Sequence, residues 1–181
     1  MTNLSTPIRR VLTASDPKGN GYFASDDLLT PYDPTTAPEF SLPTEKSAFG
    51  VIQLHRTRGF PADNQRPTLV PLADTKGPSA RIIDLPPHQE GGWMHRTLSL
   101  DYCVVLSGSV TFITDGGEEK TLKEHDVIVT RGVNHAWVNR GETVARVFAV
   151  VVPALPIITE DRVQLDKTPA GEIFDPEEED D

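Results

Sequence analysis

Between Gly91 and Asn139, apolar side chains return at every second position in short runs, and turn-forming residues end each run. Alternation with that period places residues two apart on one face of an extended chain. Asp101 to Leu106 and Val110 to Ile113 are rich in β-branched and aromatic residues, the composition of strands. Ser107-Gly108 separates these two runs as a tight turn would. Asp115-Gly116-Gly117 then supplies residues that tolerate positive φ, which the next hairpin needs. Thr121-Leu122 and Val127 to Val129 continue the pattern, Arg131-Gly132 interrupts it, and His135 to Asn139 makes a further strand.

The same alternation sorts the side chains that can do chemistry. His95 and Thr97 share one face, Asp101, Cys103 and Val105 a second, and His135, Trp137 and Asn139 a third. If the strands curl into a small barrel, these three faces converge on one interior.

These residues also carry a resemblance. The stretch is similar to the cupins, small antiparallel β-barrels of jelly-roll type. The first cupin motif runs glycine, five spacers, H-x-H, three or four spacers, E, six spacers and glycine. Here His95-Arg96-Thr97 stands at H-x-H, Asp101 at E and Gly108 at the closing glycine, with Gln89 in place of the opening one. The second motif runs glycine, five spacers and P-x-G-x-x-H-x-x-x-N. Thr130 to Asn139 follows its end, with Thr130 for the proline, and Glu124 replaces its first glycine. PIRRVLT near the N-terminus, HRTLSLDY and RGVNHAWVN extend the likeness to single-domain cupins of fungal and bacterial small-molecule pathways. The resemblance implies an all-β jelly-roll barrel. It also implies a homodimer whose terminal strands cross over.

A length of 181 residues suits one domain with a sizeable core, yet only 37% of them are apolar, so part of the chain is loop or tail. The divisions expected are an N-terminal arm over 1–45, a barrel over 46–156 and an extension over 157–181. The net charge of −10, with no basic block, argues against a nucleic-acid partner. Seven of the acids fall in the last ten residues, Glu172 to Asp181, which reads as a disordered tail. No apolar run approaches the length of a membrane span, and no signal pattern opens the chain, so neither a membrane partner nor export is expected. Cys103 is the single cysteine and cannot form an internal disulfide, as befits a cytoplasmic enzyme.

Outside the central stretch, Pro7 to Thr13, Ala48 to Leu54, Arg81 to Leu85 and Val144 to Val152 read as strands. Arg81, Ile83 and Leu85 share one face of theirs, and Arg146, Phe148 and Val150 share one face of the last. Residues 27–43 and 61–78 read as loops, and residues 161–167 as a short helix. Pro86 to Gly92 is a loop delivering the chain to His95, and its His88 and Glu90 read as exposed, as does His125. Arg9 and Arg10 read as surface charges; in the alternative, one of them lines the mouth of the barrel or pairs across a subunit boundary.

The chemistry expected turns on His95, Asp101 and His135. In the leading reading they are catalytic by proton transfer and need no cofactor. A histidine exchanges protons near neutral pH, and a carboxyl inside an apolar barrel is pushed towards neutrality unless it is paired. That is sufficient equipment for dehydration, isomerisation or cyclisation. Trp93, Thr97, Cys103, Phe112, Trp137 and Phe148 would line the substrate site for a hydrophobic, ring-bearing small molecule. The resemblance adds natural-product tailoring, where such cupins include dehydratases and cyclases, some setting up a cycloaddition. Two alternatives stand beside this. A divalent zinc or iron ion on the same three side chains would make a dioxygenase, although Thr97 is a poor substitute for the motif's second histidine and Asp101 is shorter than its glutamate. The other is a binding module without turnover.

Overall fold

The computed structural model describes residues 4–57 and 77–167. The acidic segment 172–181 and most of the loop 61–78 lie outside these residues. Twelve strands and one 3-10 turn, Pro34–Thr36, make up the secondary structure, and no α-helix occurs among the described residues.

The chain opens with a hairpin of β1 (Ile8–Ser15) and β2 (Gly21–Leu29). Asp16 closes its turn by accepting the Lys18 and Asn20 amides, both at 2.8 Å. Arg10 fastens this hairpin to the body: its Nη1 donates to the Leu54 carbonyl at 2.8 Å while its Nε donates to Asp27 at 3.0 Å. Arg9 pairs with Asp26 in solvent. Neither arginine lines the cavity described below.

Eight strands follow: β3 (Gly50–Arg56), β4 (Ser79–Leu85), β5 (Ser99–Ser107), β6 (Ser109–Thr114), β7 (Glu119–Lys123), β8 (Val127–Arg131), β9 (His135–Val138) and β10 (Ala145–Pro153). They form a five-stranded sheet in the order β3-β4-β10-β5-β8 and a three-stranded sheet in the order β7-β6-β9, all antiparallel. Leu85, Cys103, Val105, Ala145, Val147 and Ala149 of the larger sheet share one buried cluster with Val110 of the smaller. The sheets therefore close on each other around one core, and β5 and β10 alternate between that core and the outside.

Gly108 turns β5 into β6 at φ 76°, and a Cβ there would stand 3.0 Å from the Ala145 Cα. The turn thus requires glycine for its conformation and for the close approach of β10. Residues 161–167 do not form the expected helix. Instead β11 (Ile157–Ile158) pairs with β12 (Gln164–Leu165) around a turn in which Arg162 takes φ 60°. Ile157 and Ile158 at one end and Leu165 at the other favoured pairing with a neighbour over a lone helical turn.

The expectation for β10 is corrected as well. Val147, Ala149 and Val151 face the cavity, so Phe148 points to the outer face and does not line the site. No helix among the described residues is long and apolar enough to cross a membrane.

Candidate active site

The barrel encloses a cavity of about 140 Å³. His95, Asp101 and His135 all line it, together with Trp93, Thr97, Cys103 and Trp137. Phe112 sits one layer back, stacked on His135 with ring centroids 4.6 Å apart and planes 16° apart.

The two histidines are brought together by the main chain. His135 begins β9, whereas His95 lies in the approach to β5 and meets it through an isolated bridge. The His95 amide donates to the His135 carbonyl at 2.8 Å, and the His135 amide donates back at 2.9 Å. Their rings lie 4.5 Å apart between centroids. Gly92 makes this approach feasible: a Cβ there would meet the Trp137 carbonyl oxygen and Val138 Cγ2, each at 2.7 Å. Gln89 holds the same loop in place, its amide donating to the Asn139 carbonyl and its side-chain Oε1 accepting from the Asn139 amide, both at 2.9 Å. Asn139 itself is fully buried and spends its side chain on Leu85, Gly141 and Thr143, so it is structural.

Each imidazole has a fixed tautomer. His95 Nδ1 is 3.0 Å from the Trp93 carbonyl oxygen and His135 Nδ1 is 2.8 Å from that of Val133. A carbonyl only accepts, so both Nδ1 atoms carry hydrogen and both neutral rings keep Nε2 as a proton acceptor. Burial pushes the His135 pKa down to about 4, with the neighbouring His95 adding to the fall and the Val133 carbonyl opposing it.

Asp101 has the opposite bias. Burial raises its pKa above the usual carboxylate value, against the Ser99 hydroxyl and the charges of Arg81 and His95. Its Oδ1 is buried without a hydrogen-bond partner. Beside it, Ser99 Oγ donates to Thr97 Oγ1 at 2.7 Å, which connects the carboxyl's surroundings to the cavity wall. Cys103 is 4% exposed, and burial, then the charge of Asp101, pushes its thiol up to about 12, so it stays a protonated apolar filler.

Arg81 enters from β4 as a residue the sequence reading left without a role. It lines the cavity at 1% exposure. Its strand reads as an ordinary apolar one with a cation at the start, and only the inward position shared with Ile83 and Leu85 signalled it.

Catalytic zinc uses three protein ligands. Among the described residues, no three His, Cys, Asp or Glu side chains are grouped so that they could hold an ion. The motif position that would supply another imidazole is Thr97.

Comparison with known proteins agrees with the barrel. Residues 81–151 match the family model described as a cupin domain. "Phomopsin biosynthesis cluster protein C'" of Diaporthe leptostromiformis is 46% identical over 82 residues, covering 45% of this chain and 43% of that protein. "Oryzines biosynthesis cluster protein J" of Aspergillus oryzae is 36% identical over 96 residues, covering 52% of this chain and 51% of that protein. The "cupin-domain-containing oxidoreductase fogC" of Aspergillus ruber is 41% identical over 63 residues, covering 35% of this chain and 30% of that protein. The matched stretch thus spans about half or less of each of these relatives.

Proposed function

Residues 81–151 of this chain match the cupin-domain family model, and on that likeness we propose that the cavity is the active site of a small-molecule tailoring enzyme that works by proton transfer without redox change. The substrate is an apolar, ring-bearing intermediate of a natural-product pathway, and the reaction is an elimination of water or a cyclisation. The observation that carries this reading is the pairing of opposite proton biases in one apolar cavity. His135 is held neutral with Nε2 available, while Asp101 is biased to keep its proton.

For a dehydration the protons balance as follows. The His95–His135 pair takes a proton from carbon through an Nε2. The electron pair of that C–H bond becomes the new C=C bond. Asp101 gives its proton to the departing hydroxyl, which leaves as water. The proton on the imidazole pair then returns to Asp101, directly or over the Ser99 and Thr97 hydroxyls. Trp93 and Trp137 supply the ring-facing walls. The relatives named for phomopsin and oryzines biosynthesis clusters support a place in a natural-product pathway.

One observation favours a second reading: the relative from Aspergillus ruber is named an oxidoreductase. The two readings part on a simple test. The purified protein is assayed with hydroxylated ring intermediates made by the enzymes encoded beside its gene. Turnover that survives exhaustive chelation under anaerobic conditions, and is lost in His135→Ala, supports proton transfer. Turnover that stops on chelation and returns with one specific divalent ion would replace it with the redox reading.

A further inference from the structure

Arg81 plays no part in the proton inventory above, yet it is the bulkiest of the fully buried side chains. Strand register gives its place. Arg81 lies opposite Ala149, which lies opposite Cys103, while Ser79, Val151 and Asp101 form the adjoining row. Nη2 of Arg81 donates to Ser79 Oγ at 2.6 Å, which holds the guanidinium at the Asp101 end of the barrel. The cation is close enough to lower the pKa values of Asp101 and Cys103, against the rise that burial causes. A guanidinium stays charged at any working pH, and its planar donors match a pair of oxygens or one concentrated negative charge. In a cavity walled by Ile83, Trp93 and Val147, water screens that charge poorly.

A second observation points to a ligand at the same end. Asp101 is 8% exposed, lines the cavity, and its Oδ1 has no hydrogen-bond partner. A buried oxygen in that condition is a place for a donor from outside the chain. The cavity therefore sets the Arg81 cation and an acceptor oxygen of Asp101 beneath the same apolar walls.

We propose that Arg81 anchors an acidic oxygen of the substrate, so that the ligand class is an apolar ring system carrying a carboxylate or an enolisable 1,3-dicarbonyl, with a hydroxyl reaching Asp101. The inference rests on the reading of this cavity as a substrate site, though not on which step takes place there. With a dicarbonyl substrate, Arg81 would hold the oxygen on which charge grows as the imidazole pair removes the carbon-bound proton.

The test uses binding of probes that cannot react, so its outcome is independent of turnover. Isothermal titration compares 2-naphthoate with 2-naphthamide, and a cyclic 1,3-diketone in its enolate form with the corresponding monoketone. The full-length protein should bind at least one anionic probe tenfold or more tightly than its neutral partner. Arg81→Gln should abolish that preference while leaving the neutral probe's affinity within about twofold. Preference in the naphthoate arm assigns a carboxylate, and preference in the diketone arm assigns an enolate. Equal binding of charged and neutral probes by the unaltered protein overturns the proposal, and so does a preference that persists in Arg81→Gln. Arg81→Lys, which keeps the charge and loses the fork, serves if the glutamine variant does not fold: it should retain part of the preference, and an undiminished one would overturn the forked contact. Proton transfer can fail its own test while this preference stands, and the reverse also holds.

Discussion

Followed along β4, the inward positions read Arg81, Ile83, Leu85, and along β5 they read Asp101, Cys103, Val105. Because β10 runs antiparallel between them, β4 and β5 point the same way, and their polar members share one end of the barrel. At that end the wall adds His95, Thr97 and His135, with Thr130 opposite Asp101 on β8. At the other end Val105, Val110 and Ala145 are each at most 1% exposed and form an apolar plug. The same strands therefore build a region that stabilises the fold and a region that burdens it. Burial of the plug contributes on the order of 1.5–3 kcal/mol per large side chain, while each polar group at the far end is held at a cost. A barrel of this kind can carry expensive chemistry because its packing is concentrated elsewhere on the same strands.

The contrast can be broken most sharply at Asp101. Asp101→Asn keeps the shape and removes the transferable proton, so turnover should fall on the order of a hundredfold or more while melting temperature holds or rises. A fall in melting temperature that matched the loss of activity would move Asp101 to the packing side of the comparison.

Acid should find the polar end first. Free histidine takes a proton near 6.5, whereas His135 in the fold does so only at about 4. Between those values the unfolded chain binds more protons than the folded one, so stability rises with pH there and is lost on acidification. The loss attributable to His135 is on the order of 3 kcal/mol across that window. Asp101 acts with the opposite sign, since its raised pKa makes its cost disappear as the carboxyl protonates. Urea midpoints measured from pH 7 down to 4 should therefore flatten in His135→Gln relative to the unaltered protein; an unchanged slope would show that another group governs the acid loss.

Val105→Ala tests the plug. Removing two methyl groups from a side chain 1% exposed should cost about 2–3 kcal/mol in urea unfolding and leave turnover per folded molecule unchanged. If turnover fell as steeply as stability, the two ends would be mechanically coupled and the division drawn here would fail.

The smallest effect belongs to Cys103, which lies between the regions. With its thiol pushed up to about 12 and 4% exposed, it should resist iodoacetamide at pH 8 for hours in the native protein and react at once in urea. Rapid native labelling would mean that the cavity opens to solvent as far down as this layer.

What could be read from the sequence follows the same division. The strands from Ser99 to Val138 were legible because polar and apolar residues alternate there with turns at each end, which sets both the element and its phase. That phase placed His95, Asp101 and His135 on cavity-facing positions. β10 offers no such phase: Val147 to Val152 is apolar on both faces, so Phe148 was assigned inward for its ring and lies outward. Arg81 escaped for a different reason. Its nearness to Asp101 depends on two strand registers across β10, and a pairing of that kind leaves no local mark in the chain.

The bridge between His95 and His135 has a further consequence for how this site can change. The two residues are joined by reciprocal amide-to-carbonyl bonds, 2.8 and 2.9 Å long, that do not involve either ring. The spacing of the two reactive positions is thus written in the polypeptide itself and survives replacement of both side chains. Substituting asparagine, glutamate or cysteine at either position would alter the reagent and keep the gap. A designer seeking new reactions could therefore treat 95 and 135 as a pair of sockets at fixed separation, and vary their contents without rebuilding the frame that holds them.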